Sequence, residues 1–170
     1  MKQAPRERSS ARGLRLLLLR AAFNREVVEG LVAGARRALL EAGADADCLS
    51  EEEAPGAFEL PLAAAEAARS GRWDAVIALG AVIRGETDHY EHIAREVASG
   101  LAAVARETRV PVAFGVLTVR DVEHARARSL PGPDNKGAEA ARAAVTMVHL
   151  LRRLASRQPS RRPIRPRRRR

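Results

Sequence analysis

Short apolar runs alternate along the chain with longer segments in which apolar residues return every three or four positions. Runs of the first kind suit buried strands, and segments of the second kind suit helices with one inward face. Their alternation predicts βα units and a parallel sheet. Residues 16–19, LLLL, read as a first strand, after which Val28, Leu31, Val32, Ala35 and Leu39 recur at helical spacing until Gly43 stops them. A second strand over residues 47–53 is polar enough to be an edge. An Ala-rich helix over residues 60–69 leads through Gly71, Arg72, Trp73 and Asp74 into a strand at 75–79, and a helix over 88–108 leads into a strand at 111–119. Helices at 122–129 and 136–155 complete an α/β class of one domain, a doubly wound four-stranded parallel sheet. Ligands of such sheets bind beyond the carboxyl ends of the strands, so the loops around residues 21–24, 54–59, 80–89 and 114–120 are the places to look.

Composition changes this picture only at the ends. The 170 residues carry a formal charge of +9, but residues 157–170 contribute eight arginines and no acid, and residues 1–13 contribute a net +3. The stretch from 14 to 156 is therefore slightly acidic, and the basic pI describes the ends rather than the domain. Residues 1–13 are expected to be a disordered basic arm, 14–156 the folded domain, and 157–170 a disordered Arg/Pro-rich tail. Arginines interleaved with proline would bind phosphate backbones without sequence preference, which adds an alternative reading, an RNA-contacting scaffold, to any enzymatic one. The apolar run at 14–19 is too short for a membrane span or a signal peptide, so a soluble cytoplasmic protein with no membrane partner is expected. A single cysteine, Cys48, allows neither an internal disulfide nor a Cys-based metal cluster, and reads as a small buried apolar residue.

Candidate chemistry gathers in the loops. Aromatic residues are scarce, yet Phe23, Phe58 and Phe114 all fall in or beside the four loops, where their faces could enclose a flat heterocycle. In GAVIRGETDHYEH, residues 80–92, Gly80 and Gly85 are expected to let the backbone turn. Asp88 with Glu91 three residues later resembles a capping box, and the N–H groups of the loop and helix start would point at an anion. His89, in the first turn, is the candidate proton-transfer group. Glu86 must point outward if a phosphate is to bind there. Arg126 and Arg128 precede a Pro/Gly loop and Lys136; either guanidinium could grip two phosphate oxygens if this segment folds over the loop at Gly85.

Taken in order, Phe23-Asn24, PGAFELP at 55–61, ALGAVIRGETDHYEHI at 78–93, PVAFGVLT at 111–118 and NKG at 135–137 resemble the lumazine synthase family over about residues 14–155. The resemblance implies a flavodoxin-like three-layer α/β/α domain. It also implies condensation of 5-amino-6-ribitylaminouracil with 3,4-dihydroxy-2-butanone 4-phosphate to 6,7-dimethyl-8-ribityllumazine, with release of phosphate and water, in riboflavin biosynthesis. On this likeness Phe23 and Asn24 meet the pyrimidine, while Ala57, Phe58, Glu59, Ala81, Val82 and Ile83 contact the pyrimidine and ribityl chain. Glu86 and Thr87 form the phosphate loop, His89 is catalytic, Phe114 is a strand-end aromatic, Arg128 binds the phosphate, and Lys136 is a further substrate-binding residue. No metal or redox cofactor is implied. A homopentamer or a multiple of pentamers is implied, with riboflavin synthase as a further partner and with Phe114 and Arg128 serving a site whose His89 belongs to another chain. Two departures from the family pattern stand out: Ala22 where a basic residue usually precedes the aromatic, and LPGPD in place of a Gly/Lys-rich loop before Asn135.

Overall fold

A computed structural model describes residues 9–156; the basic arm before Ser9 and the Arg/Pro-rich tail after Ser156 lie outside the described residues. The strands are β1 (Leu16–Ala21), β2 (Leu49–Ala54), β3 (Ala75–Ile83) and β4 (Val112–Val119). The helices are α1 (Arg25–Glu41), α2 (Leu60–Arg69), α3 (His89–Thr108), α4 (Val122–Ser129) and α5 (Lys136–Ser156), with a short 3-10 turn at Ala46–Cys48 before β2. All strand pairs are parallel, in the order β2-β1-β3-β4. Helices α1, α4 and α5 cover one face of the sheet, and α2 and α3 cover the other. This is the three-layer doubly wound sheet that the alternating pattern predicts. Among the described residues no helix is long and apolar enough to cross a membrane.

Strands covered on both faces should read as unbroken apolar runs, and β3 is buried from Ala75 to Val82. That length is a departure from the expected strand at 75–79. Gly80 sits inside β3 and does not turn the chain; a Cβ there would lie 3.5 Å from side-chain atoms of Ala21, Leu60 and Val116, so the site is packed on every side. β2 is the polar edge expected of it. Its exposed Glu51 and Glu53 are countered by Arg20, at 3.3 Å and 2.6 Å, while Arg36 reaches Glu51 at 2.9 Å, which offsets much of the strand's negative charge. The arm expected over 1–13 is packed from Ser9 onward: Ala11 is fully buried and its N–H donates to Ala42 O at 2.8 Å. Cys48 is half-buried rather than enclosed.

Three helices converge at one point because the residues between them are glycine. A Cβ on Gly34 would stand 2.0 Å from Asn135 Oδ1, one on Gly137 would stand 2.0 Å from Leu31 O, and one on Gly30 would stand 2.7 Å from Ser129 O. Helix α1 thus admits the end of α4 and the start of α5 to a separation that any side chain would forbid.

At the opposite, amino-terminal end of the sheet, Asp74 clamps three elements. Its carboxylate accepts from Arg15 N at 2.8 Å and Nε at 3.3 Å, and from Arg152 at 3.0 Å. Partial burial alone would raise its pKa, but hydrogen bonds from Arg15 and the nearby positive charges of Arg15 and Arg152 outweigh it and hold the value below the ordinary 3.8. A depressed carboxylate stabilises the fold above the ordinary value and loses that contribution as pH falls through the lowered one. Asp74→Asn is therefore expected to unfold more easily than the parent in urea at neutral pH. The difference between them should shrink steadily as the pH falls below 3.8. A difference that persists undiminished in acid would remove the ion pairs as its cause.

Candidate active site

Parallel strands deliver their following loops to one end, and the loops after β1, β2 and β3 meet there. Asn24 follows β1 in a left-handed conformation, φ 55°, which Asn tolerates better than most residues. Its Nδ2 donates to Ala81 O at 2.8 Å, fastening the first loop to the end of β3. The same turn leaves Phe23 72% exposed. Gly56 lies against both the Phe23 ring and Glu59: a Cβ there would be 3.4 Å from Phe23 Cδ2 and 2.9 Å from Glu59 Oε2. The loop that carries Ala57, Phe58 and Glu59 therefore passes Phe23 at Gly56, with Phe58 54% exposed just before α2 begins. The side chains of Ala81 and Val82 belong to the core, which leaves their backbone and the half-buried Ile83 to meet a ligand.

Beyond β3 the chain runs through exposed Arg84, Gly85, Glu86, Thr87 and Asp88 into α3 at His89, itself exposed. Arg84 N donates to Val119 O at 3.0 Å, so the loop departs from the end of β4 as well. The expected capping box does not form. The Asp88 side chain accepts no cap hydrogen bond, and Glu91 N bonds instead to Asp88 O at 2.9 Å. The Asp88 carboxylate thus leaves the first N–H groups of α3 uncapped, although Glu91 stands in the first turn. Gly85 does not have a positive φ, and a Cβ on it would meet nothing within 4 Å. Its openness, rather than a forced turn, is what glycine gives this loop.

The remaining site residues lie elsewhere. Phe114 pairs with Ala78, near the start of β4, and is not at a strand end as expected. It is 48% exposed on the unpaired margin of the sheet. An open groove of about 410 Å³ runs along that margin, lined by Phe114, Thr118, Arg128, Lys136, Glu139 and Ala143 among others. No residue of 84–89 lines it, so within one chain Arg128 does not fold over the Gly85 loop. Arg128 donates to His124 O at 3.0 Å, and Lys136 pairs with Glu139. Arg126 is turned to the other side of α4. Hydrogen bonds to Glu26 and Glu123, at 3.3 Å and 2.7 Å, hold its guanidinium more firmly charged than usual. Of the two arginines open as clamps, only Arg128 faces the groove.

The sequence reading overlooked Asn135, which is 1% exposed. Its Nδ2 donates to Ser129 O at 2.6 Å, Gly30 O at 3.0 Å and Leu130 O at 3.2 Å, and its Oδ1 accepts from Ala138 N at 2.9 Å. An Asn three residues before that N–H is a helix N-cap, a signal present in the sequence.

One end of the sheet thus presents aromatic faces, a histidine and backbone donors, and one margin presents two cations beside a third aromatic face. This is a doubly wound α/β protein of the class that takes small molecules at the carboxyl ends of its strands. The family model described as 6,7-dimethyl-8-ribityllumazine synthase matches residues 13–152, which include the whole sheet and all but the last turn of α5. The chain belongs to that family, a family of enzymes, transferases of riboflavin biosynthesis.

The tether between Asn24 and Ala81 can be tested alone. Asn24→Gly keeps the left-handed backbone accessible but removes the Nδ2 donor, so it is expected to lower stability by about 0.5–1.5 kcal/mol, the net worth of one hydrogen bond. Urea denaturation measures this; a neutral result would show that the tether does not hold the loop.

Proposed function

We propose that the chain condenses 5-amino-6-ribitylaminouracil with 3,4-dihydroxy-2-butanone 4-phosphate, at a site completed between two copies of the chain in a pentamer or a multiple of pentamers. The observation that carries this reading is the division of the candidate residues between the carboxyl end of the sheet and the β4 margin, with a solvent-exposed Phe in each group. A neighbouring copy that set its β4 margin against this copy's loops would bring Phe114, Arg128 and Lys136 to Phe23, Phe58 and His89.

In this reading Phe23 stacks on the pyrimidine, Asn24 holds the loop that presents it, and the segments with Ala57, Phe58 and Glu59 and with Ala81, Val82 and Ile83 receive pyrimidine and ribityl chain. The amine attacks the ketone and water leaves as the Schiff base forms. Phosphate is then eliminated, and ring closure releases a second water. Each step moves protons, which His89 can donate and accept at the edge of the site. Elimination needs the leaving phosphate's charge held, a task for the N–H groups near Gly85 and Thr87 and for Arg128 and Lys136 of the neighbouring copy. Glu86 turns outward to leave room for it. Holding both substrates in register contributes much of the acceleration.

Purified protein mixed with both substrates is expected to develop lumazine fluorescence. His89→Ala should slow turnover by about 10²-fold, the lower range for a lost proton-transfer group, with pyrimidine affinity nearly unchanged. An unchanged rate would take His89 out of the mechanism. The shared site has its own test: co-assembled His89→Ala and Arg128→Ala chains, each poorly active alone, should recover roughly a quarter of parental activity by random pairing of intact halves. No recovery would place the whole site within one chain.

A further inference from the structure

We propose that Asn135 is a positioning residue for the phosphate clamp, fixing Arg128 and Lys136 relative to one another through a single buried amide. The proposal rests on the reading that these two cations hold the substrate phosphate. Arg128 lies one residue before Ser129, whose carbonyl Asn135 holds at 2.6 Å, and Lys136 is the residue next to Asn135 itself. One face of the amide therefore governs the end of α4, and the other, through Ala138 N, governs the start of α5. Its contact with Gly30 O refers both to α1, which packs on the sheet.

An amide NH2 has two hydrogens, and here it meets three carbonyls, so at least one hydrogen is shared and the geometry is narrow. The side chain is nearly inaccessible, and Gly34 leaves room for it at a distance no Cβ would permit. Between Ser129 and Asn135 the chain runs through exposed Leu130, Pro131, Gly132, Pro133 and Asp134, with Gly132 at φ 152°. Across that exposed stretch the buried amide is a direct bridge between the two helix ends, beside their close packing on α1. A clamp for a dianion gains from cations already at the right spacing, because no ordering remains to be done on binding.

The test uses inorganic phosphate as the probe, titrated calorimetrically into the intact assembly. Asn135→Ser is the informative variant. Serine can still cap Ala138 N, but its hydroxyl is too short to bridge to Gly30, Ser129 and Leu130, and it adds no charge. Expected are about tenfold weaker phosphate binding for Arg128→Ala and for Asn135→Ser, each a lost charge-assisted contact. The double variant should be little weaker than either single one, because an arginine already out of place contributes nothing more when removed. The KM for the phosphate-bearing ketone should rise in parallel, with that for the pyrimidine unchanged. A purely structural role would lower stability and leave both the probe affinity and the KM ratio where they were.

If Arg128→Ala weakens phosphate and Asn135→Ser does not, the positioning role is overturned while the clamp stands. If Arg128→Ala has no effect, the clamp reading fails and takes the inference with it. Additive losses in the double variant also overturn it. Should Asn135→Ser not fold, Gly30→Ala decides the matter, since its Cβ would press on Ser129 O from the α1 side at 2.7 Å. Weakened phosphate binding there supports the role, and parental affinity overturns it.

Discussion

A parallel sheet covered on both faces has nowhere to put chemistry except its ends and its margins. β3 is buried over eight consecutive residues, and apolar clusters pack against both faces of the sheet. Parallel strands then assign the two ends different work. The amino-terminal end is closed by structural bonds, with Asp74 joining β1, β3 and α5 and Ala11 bonded to the end of α1. The carboxyl end is left to loops that begin from rigid strand termini, so Phe23, Phe58 and His89 can be exposed and still held in place.

The two margins of the sheet are also unlike. The β2 margin is charged, with Glu51 and Glu53 paired to Arg20 and Arg36. Such an edge discourages the addition of another strand or sheet. The β4 margin offers a half-exposed Phe114, apolar strand residues, Arg128 bonded to His124 O, and Lys136 paired with Glu139. The shared site proposed above uses this margin and not the β2 one.

Much of this was legible in the sequence because apolar periodicity reports burial, and burial follows layers. The boundaries of α2 and α4 can be read directly, and the polar content of β2 marks it as an edge. Gly80 misleads for a physical reason: glycine signals a turn as readily as a crowded strand interior, and only the three side chains around it distinguish the two. The convergence of the loops after β1, β2 and β3 at one end was legible because each follows a parallel strand. Phe114 was not, since its place depends on the register of β4 against β3. Nor was the choice between Arg126 and Arg128, two residues apart and so on opposite sides of one helix. The N-cap role of Asn135 is local and readable, but its bond to a carbonyl 105 positions away is carried by no local pattern.

The 2.0 Å between the space above Gly34 and the Asn135 amide has a consequence for how this chain can change over generations. A side chain gained at 34 expels the amide, and an amide lost at 135 leaves a hole that a larger residue at 34 would fill. The two positions, though far apart in the chain, share one space, so what one can hold is limited by what stands at the other.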